Sequence, residues 1–247
     1  MKNFQPLIVP ISVSLLAFSL AACSSGAPSA EGGGGASKPG HTVIIGPNHS
    51  GGPALKGNDH VISVDRKVEQ FHAIELVDAG KVQITVGSPL KVSMLVDDNL
   101  VDAIDTKVEG GKLVIAANKD YQANRAATYS VDVPELSEIY VSGDGEVLVN
   151  AVKGDLLKID VSGAGSCFAA GKATNVKINL SGAGNVDCLK VAADNVTLTV
   201  SGAGTCKVNA LNSLKANVSG AGTVKYLGSP ASLNKEVTGT GSIMPMM

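Results

Sequence analysis

The sequence predicts an all-β protein whose main part is a solenoid, a fold in which the chain winds into stacked coils. Three observations predict it: a short glycine motif recurs at nearly even spacing, apolar and polar residues alternate on both sides of it, and the composition suits thin β-layers. Hydrophobic residues make up 44% of the 247, but aromatic residues only 3%, and tryptophan is absent. The core is therefore expected to consist of Val, Ile, Leu and Ala.

The recurring motif is Ser-Gly-x-Gly, or Thr-Gly-Thr-Gly in the last copy. Its six copies begin at Ser142, Ser162, Ser181, Ser201, Ser219 and Thr238. The intervals between them are 20, 19, 20, 18 and 19 residues. A fixed period of this length is typical of a solenoid. A phosphate-binding loop would place its glycines before a helix, whereas the pattern after each copy is that of a strand.

The residues before each motif alternate strictly. Leu157, Ile159 and Val161 are apolar, and Lys158 and Asp160 lie between them; the next three copies repeat the pattern. Alternation resumes after the motif, so each coil of about 19 residues reads as strand, corner, strand and loop. The sequence thus predicts a right-handed, β-helix-like solenoid over residues 135–247.

The two glycines of each motif are predicted to form the corner of a coil. Glycine tolerates positive φ and leaves room where one backbone lies against the next. The predicted structural corner positions are Gly143, Gly145, Gly163, Gly165, Gly182, Gly184, Gly202, Gly204, Gly220, Gly222, Gly239 and Gly241.

Residues 58–134 predict a more irregular β part. The stretch 71–87 resembles a degenerate coil, with Val77 to Gly80 at the corner position. A strand at 91–98, a short turn or helical piece, a hairpin around Gly110 and Gly111, a loop at 118–128 and a strand ending at Pro134 are expected to follow.

The first 22 residues have the pattern of a signal peptide. Lys2 is their only charge, and the apolar run at 7–22 is shorter than the ~20 residues of a membrane span. The sequence Leu20-Ala21-Ala22-Cys23 resembles the lipobox of bacterial lipoproteins. This resemblance implies cleavage before Cys23 and attachment of lipid to it; the alternative is ordinary secretion with a chance cysteine.

Residues 23–57 are predicted to be the lipid anchor and a flexible tether rich in Gly, Ser and Pro, with a short strand at 42–45. Ser24 and Ser25 stand where enteric bacteria place the aspartate that retains lipoproteins at the inner membrane. By this analogy the protein is located in the cell envelope as an outer-membrane lipoprotein, and whether the head faces the surface or the periplasm stays open.

The order of motifs from FHAIELVDAGKVQITVG, through LVDDNLVDAIDTKVEGGKLVI, to VDVPELSEIYVSGDGEV resembles the putative auto-transporter adhesin, head GIN domain family. The resemblance covers most of residues 60–245. It implies a right-handed β-helix-like fold and a secreted or lipid-anchored bacterial protein. The family has no established catalytic residues, so the resemblance transfers none.

No group of residues in the sequence predicts a catalytic or metal site. Cys167, Cys188 and Cys206 occupy apolar positions of the coils, too far apart for easy disulfide formation, and are expected to be buried and structural. A loose metal site of His41, His49 and His60 and a Ca²⁺ site at Asp144 and Glu146 are the alternatives considered. No cofactor is expected. No nucleic-acid partner is expected either, since the formal net charge is -2 and nucleic-acid binders usually carry a strongly basic face.

The remaining candidate is the outer surface of the coils. Lys158, Lys177 and Lys215 are expected to share one column, and Asp160, Asn179, Thr199 and Asn217 the next. We interpret the protein as a non-catalytic, lipid-anchored envelope protein with an adhesin-like interaction head and an envelope protein or glycan as its partner. A glycan-binding or polysaccharide-active enzyme and an outer-membrane assembly or maintenance factor are the alternatives.

Replacing Cys23 with alanine removes the predicted attachment point of the lipid. We expect Cys23→Ala to move the protein from the membrane fraction to the soluble fraction of lysed cells, measured by immunoblotting after ultracentrifugation. Ser24→Ala is the matched control and should stay in the membrane fraction. A Cys23→Ala variant that still sediments with membranes would contradict the lipid anchor.

Overall fold

The computed structural model describes residues 43–45 and 54–246. The predicted signal peptide, Cys23 and most of the predicted tether lie outside these residues. Within them the regular structure is β-strand apart from one 3-10 helix, Asp98–Ala103. None of the described residues belongs to a helix that is long and apolar enough to cross a membrane.

The strands in chain order are β1 (Val43–Ile45), β2 (Leu55–Lys56), β3 (Val61–Arg66), β4 (Ala73–Leu76), β5 (Lys81–Val86), β6 (Lys91–Asp97), β7 (Ile104–Glu109), β8 (Lys112–Ala117), β9 (Tyr121–Ala123), β10 (Thr128–Val133), β11 (Glu138–Val141), β12 (Glu146–Val161), β13 (Ser166–Leu180), β14 (Asn185–Val200), β15 (Thr205–Val218), β16 (Thr223–Leu227), β17 (Ser232–Val237) and β18 (Ser242–Pro245).

The predicted solenoid is confirmed: the repeat region winds through about five turns. The coils form two sheets, each built of parallel strands. The inbound sheet consists of the strands that run into the corners, namely β4, β11, the second halves of β12–β15, and β17. The outbound sheet consists of the strands that leave the corners, namely β5, the first halves of β12–β15, β16 and β18.

The core consists of aliphatic columns between the two layers. The register places Ile159 on Ile178, and Ile178 on Leu198, and each of these side chains is at most 1% exposed. Parallel strands about 4.8 Å apart bring identical positions of successive coils together. Because one coil buries only half of its apolar surface by itself, the coils stabilise one another as a stack.

The corners stack directly on one another. A Cβ atom on Gly163 would lie 2.3 Å from the carbonyl oxygen of Gly143, and one on Gly182 would lie 2.0 Å from that of Gly163. None of the twelve corner glycines has a positive φ. The prediction that these glycines adopt positive φ is therefore wrong, whereas the predicted close approach of adjacent backbones is confirmed.

The opposite edge of the coils, which we call the seam, differs from the predicted loop. β12–β15 each run through it as one bent strand of 14 to 16 residues. The bend requires unusual backbone geometry: Ala151 has φ of 59°, and Gly171 has φ of 142°. Positive φ values thus occur at the seam, together with shifts of strand register in β12, β13 and β14.

The predicted degenerate coil also belongs to the stack. A Cβ atom on Gly143 would lie 2.4 Å from the carbonyl oxygen of Val77, so the corner at 77–80 lies directly under the first Ser-Gly-x-Gly corner. β8 and β10 then pair in parallel with β4 and β5 and extend the two sheets by one more layer.

Antiparallel strands close this end of the solenoid. β7 pairs with β8 through the predicted hairpin at Gly110 and Gly111, and β6 pairs with β10 and with β3. The Arg66 side chain donates hydrogen bonds to the carbonyl oxygens of Val101 and Ile104, at 2.8 and 3.2 Å, and so ties β3 to the 3-10 helix. The predicted loop at 118–128 contains β9, which pairs with β1 and β2.

The other end is open among the described residues, because no strand pairs with the outer edges of β17 and β18. Lys235 continues the interior column of Ala216, and its Nζ lies 5.6 Å from the centre of the Tyr226 ring. The N–H of Met246 donates a hydrogen bond to the carbonyl oxygen of Tyr226. Neighbouring residues of a strand direct their N–H groups to opposite sides, so the N–H of residue 245 would face the free edge. This residue is Pro245, which has no N–H. Inward charges and edge prolines both hinder pairing with a further strand.

Gly182→Val tests the contact between corners. The added side chain would meet the carbonyl oxygen of Gly163, and relief of this clash requires the coils to separate locally. We expect a loss of about 3 kcal/mol in the free energy of unfolding, measured by chemical denaturation. Ala183→Val, at the exposed position of the same corner, should change stability little. Equal stability of Gly182→Val and the parent protein would contradict the stacking contact.

A double variant tests the protection of the open end. In Lys235→Val/Pro245→Thr an apolar side chain completes the interior column and an N–H is restored at the edge. We expect concentration-dependent association, measured by sedimentation velocity, because an unprotected strand edge pairs readily with another chain. Lys215→Val, on the outer face, is the control and should sediment like the parent. A double variant that stays monomeric at all concentrations would count against this role.

Candidate binding surface

The outward side chains of the inbound sheet form two regular columns, which we call the ladder face. The first runs Lys158, Lys177, Thr197, Lys215, and the second runs Asp160, Asn179, Thr199, Asn217. This register is the one that the sequence predicts. The corners hold it, because Ser181 and Ser201 donate backbone hydrogen bonds to Val161 and Leu180, both at 2.9 Å.

One end of the ladder face carries a compact ionic cluster around Tyr140. The Nζ atoms of Lys112 and Lys158 lie 5.0 and 4.8 Å from the centre of its ring. Lys158 donates to the Tyr140 hydroxyl at 2.9 Å and approaches Asp160 at 3.0 Å, while the Tyr140 hydroxyl donates to Glu138. The hydrogen bonds with Tyr140 and then with Asp160 raise the pKa of Lys158.

The carboxylates of this cluster are consequently all engaged. The hydrogen bond from Tyr140, aided by Lys158, lowers the pKa of Glu138. Lys112 binds Glu75, and this hydrogen bond raises the pKa of Lys112. The cluster holds β8, β4, β11 and β12 together across the outer face. Sequence alone did not find it, because Lys112 comes from the hairpin and pairs with β4 only in the fold.

Farther along the ladder face the lysines are free of carboxylate partners. Lys177 and Lys215 are exposed, and neither has a carboxylate within ion-pair distance among the described residues. Thr197 separates them, so their backbones are two strand spacings apart, about 10 Å. This part of the face therefore presents two positive charges, about 10 Å apart, to solvent.

The alternative metal sites receive no support from the described residues, where no group of three His, Cys, Asp or Glu side chains is placed to hold a metal ion. His60 contacts Asp98 at 3.0 Å, while His41 and His49 lie outside the described residues. Glu146 forms an ion pair with Lys81 at 3.2 Å, which engages one of the two carboxylates of the alternative Ca²⁺ site.

The three cysteines of the repeat region are buried, as the sequence predicts, and the structure shows that they are also free. The register places Cys167 and Cys206 on either side of Val186 in one column, and Cys188 lies next to Val208 in another. Burial raises the pKa of Cys167 and of Cys206 to about 12. These thiols therefore stay protonated at neutral pH and act as small apolar side chains.

Charge is distributed unevenly along the solenoid, which the net charge of the whole chain does not reveal. Residues 54–160 contain 11 Lys and Arg against 18 Asp and Glu, a net charge of −7, whereas residues 161–247 contain 7 Lys against 3 Asp and Glu, a net charge of +4. The near-zero total conceals this polarity. Because coils follow the chain in order, the capped end of the solenoid is acidic and the open end is basic.

Fold and surface together define the class: a β-solenoid head whose sheets are closed at one end and carry laddered polar side chains outside. The chain belongs to the putative auto-transporter adhesin, head GIN domain family, whose sequence profile matches residues 70–230. The family expected from the sequence motifs is thereby confirmed. A search of curated proteins found no match.

Solved structures show the same fold. A putative adhesin from Bacteroides fragilis has a TM-score of 0.65 at 23% identity, covering 78% of this chain and 100% of that one. A protein from Parabacteroides distasonis described as a putative lipid binding protein has a TM-score of 0.54 at 20% identity, covering 79% and 100%. A putative adhesin from Parabacteroides merdae has a TM-score of 0.50 at 19% identity, covering 78% and 99%.

Buried thiols predict a sharp difference in reactivity between the folded and unfolded protein. In a Cys23→Ala background we expect no reaction with a thiol reagent at pH 8 in native buffer and reaction of Cys167, Cys188 and Cys206 in guanidinium chloride. The raised pKa values and the burial both suppress the native reaction. A cysteine introduced at exposed Ser162 is the positive control. Fast native labelling of the three cysteines would contradict the closed core.

Proposed function

We propose that this protein is a non-catalytic, lipid-anchored protein of the cell envelope whose solenoid head binds a partner through its outer surface. The observation that carries the proposal is the ladder face, where Lys177 and Lys215 are exposed two strand spacings apart and have no carboxylate partner among the described residues. Exposed charges in a rigid array are a means of recognising an extended partner of complementary charge.

The arrangement of the chain supports a head on a stalk. β1 and β2, which follow the predicted tether, pair with β9 in the N-terminal β part. The basic coils thus lie away from the point where the predicted tether joins the head. The family description and the adhesin-described structural neighbours agree with an adhesin-like role.

The carboxylates of the ladder face do not favour the alternative of a polysaccharide-active enzyme. A glycosidase uses a pair of carboxyl groups about 5–10 Å apart, one of which gives up a proton. Asp160 instead forms an ion pair with Lys158 and accepts a hydrogen bond from Asn179. Glu138 accepts a hydrogen bond from Tyr140 and forms an ion pair with Lys158. The same interactions that neutralise these groups also stabilise the sheet.

Proximity labelling in intact cells tests the proposal. A labelling enzyme fused after the last coil should mark a reproducible set of envelope components, and Lys177→Glu/Lys215→Glu should remove part of that set. Lys67→Glu is the matched control, because Lys67 is an exposed lysine of the acidic half with no ion pair in the part of the chain that the structure describes; it should leave the set unchanged. Protease added to intact cells then reports whether the head is surface-exposed.

Two results would contradict the proposal. An identical set of labelled components for the parent and the double variant would show that the ladder face is not the binding surface. Hydrolysis of a cell-wall or capsule polymer by the purified protein would show that the head is catalytic.

A further inference from the structure

A groove of about 380 Å³ lies on the outer side of the outbound sheet, beside the seam. Its walls include three apolar side chains and three polar ones, and we call it the Phe168 groove: Leu148, Asn150, Phe168, Asp187, Leu189 and Lys190. The volume is at the lower end of the range of about 300–1,000 Å³ that small-molecule sites occupy. It lies on a different sheet from the ladder face.

The fold builds this groove by interrupting the regular ladder three times at the same place. The register shifts between Val149 and Val152 in β12, between Phe168 and Ala170 in β13, and between Cys188 and Ala193 in β14. Shifts of this kind re-aim side chains and are frequent next to functional sites. Because they coincide in three adjacent coils, the result is a continuous depression rather than an isolated irregularity.

Phe168 is an unusual residue on this surface. The protein has only four phenylalanines, and this one faces outward with 37% of its surface exposed. In the ladder it lies between Leu148 of one coil and Asp187 of the next, and Leu148 and Leu189 are half-buried. Because this ring lies on a polar sheet face and is not part of the core, it offers a flat apolar platform to a ligand.

The polar groups around the platform differ in whether they already have hydrogen-bond partners. Asp187 is fixed, since its carboxylate accepts hydrogen bonds from the N–H of Leu189 at 3.2 Å and from Lys207 at 3.3 Å. Asn150 and Lys190 are exposed, and within the described part of the chain their side chains form no hydrogen bond or ion pair. The groove therefore presents a free amide and a free positive charge beside the ring.

The surroundings of the groove disfavour two common occupants. An extended peptide would need a free strand edge, but β13 is paired on both sides, with β12 and with β14. An acyl chain would need a cleft that encloses it, but the floor consists of Val149 and Ala169, which are 2% and 5% exposed and close the core. A chain lying on this floor would leave much of its apolar surface in water.

We propose that the Phe168 groove binds an acidic saccharide. A pyranose ring has one flat apolar face, which fits on Phe168 between Leu148 and Leu189, and a polar rim, which reaches Asn150 and Asp187. A carboxylate on the sugar pairs with Lys190, in agreement with the excess of lysine in this half of the solenoid. This inference rests on the proposed function, because it assigns a ligand class to a binding head.

Calorimetric titration of the full chain in detergent micelles tests the inference. The probe is a tetrasaccharide of alternating glucuronic acid and N-acetylglucosamine, and the matched neutral probe is the tetramer of N-acetylglucosamine. We expect the acidic probe to bind more tightly, by about two- to fivefold, which is the upper part of the range that one exposed charge pair contributes. Phe168→Ser should weaken both probes by about tenfold through loss of the stacking surface.

The remaining variants separate charge from stacking. Lys190→Gln should abolish the preference for the acidic probe and leave binding of the neutral probe unchanged. Leu211→Ser, an exposed leucine outside the groove, and Lys225→Gln are the matched controls and should bind both probes like the parent.

The inference would be overturned if neither probe bound the protein. It would also be overturned if a folded Phe168→Ser variant kept the affinity of the parent, or if Leu211→Ser lost as much affinity as Phe168→Ser. The proposed function is tested separately, through the ladder face in intact cells. A groove that binds no sugar, in a protein whose labelled partners still depend on Lys177 and Lys215, would therefore refute this inference alone.

Discussion

The structure depends on the contact between the glycines of one corner and the carbonyl oxygens of the corner below. Built Cβ atoms at Gly163, Gly182 and Gly202 would approach those oxygens to 2.3, 2.0 and 1.9 Å, distances that real Cβ atoms do not reach. Any side chain at these positions would separate the coils. Both sheets turn at the same corners, so this contact fixes their register together, and with it every column of core and surface residues.

The stacking that fills the core also imposes a cost on the surface, because identical positions of successive coils lie only about 4.8 Å apart. A column of lysines would repel itself. The chain offsets this at Lys158, which is surrounded by Tyr140, Glu138 and Asp160, and with Thr197 between Lys177 and Lys215. The strand register therefore sets the distance between the two free lysines of the ladder face.

Much of this architecture follows from local pattern. The alternation at Leu157, Ile159 and Val161 predicts both the buried columns and the outward ones, since a strand has only two faces. The corner positions follow from the period. The cap, the Tyr140 cluster and the Phe168 groove do not follow from it. Arg66 finds its acceptors more than 30 residues away, and the groove arises from register shifts at the seam, where the sequence predicts only a loop. Long-range pairing decided these features, and no periodic signal marks them.

Charge polarity connects the fold to the proposed role. A solenoid converts order along the chain into order in space, so an excess of carboxylates before residue 161 and of lysines after it becomes an acidic end and a basic end. Like charges in one half destabilise that half somewhat, which the ion pairs Lys112–Glu75 and Lys81–Glu146 partly offset at the acidic end. In the basic half, ion pairing is sparser, and Lys177, Lys190 and Lys215 remain available to solvent. Because exposed ion pairs add little stability, the fold loses little when these lysines have no carboxylate partner among the described residues. Their free charges favour the attraction of an anionic partner to the coils farthest from the predicted tether.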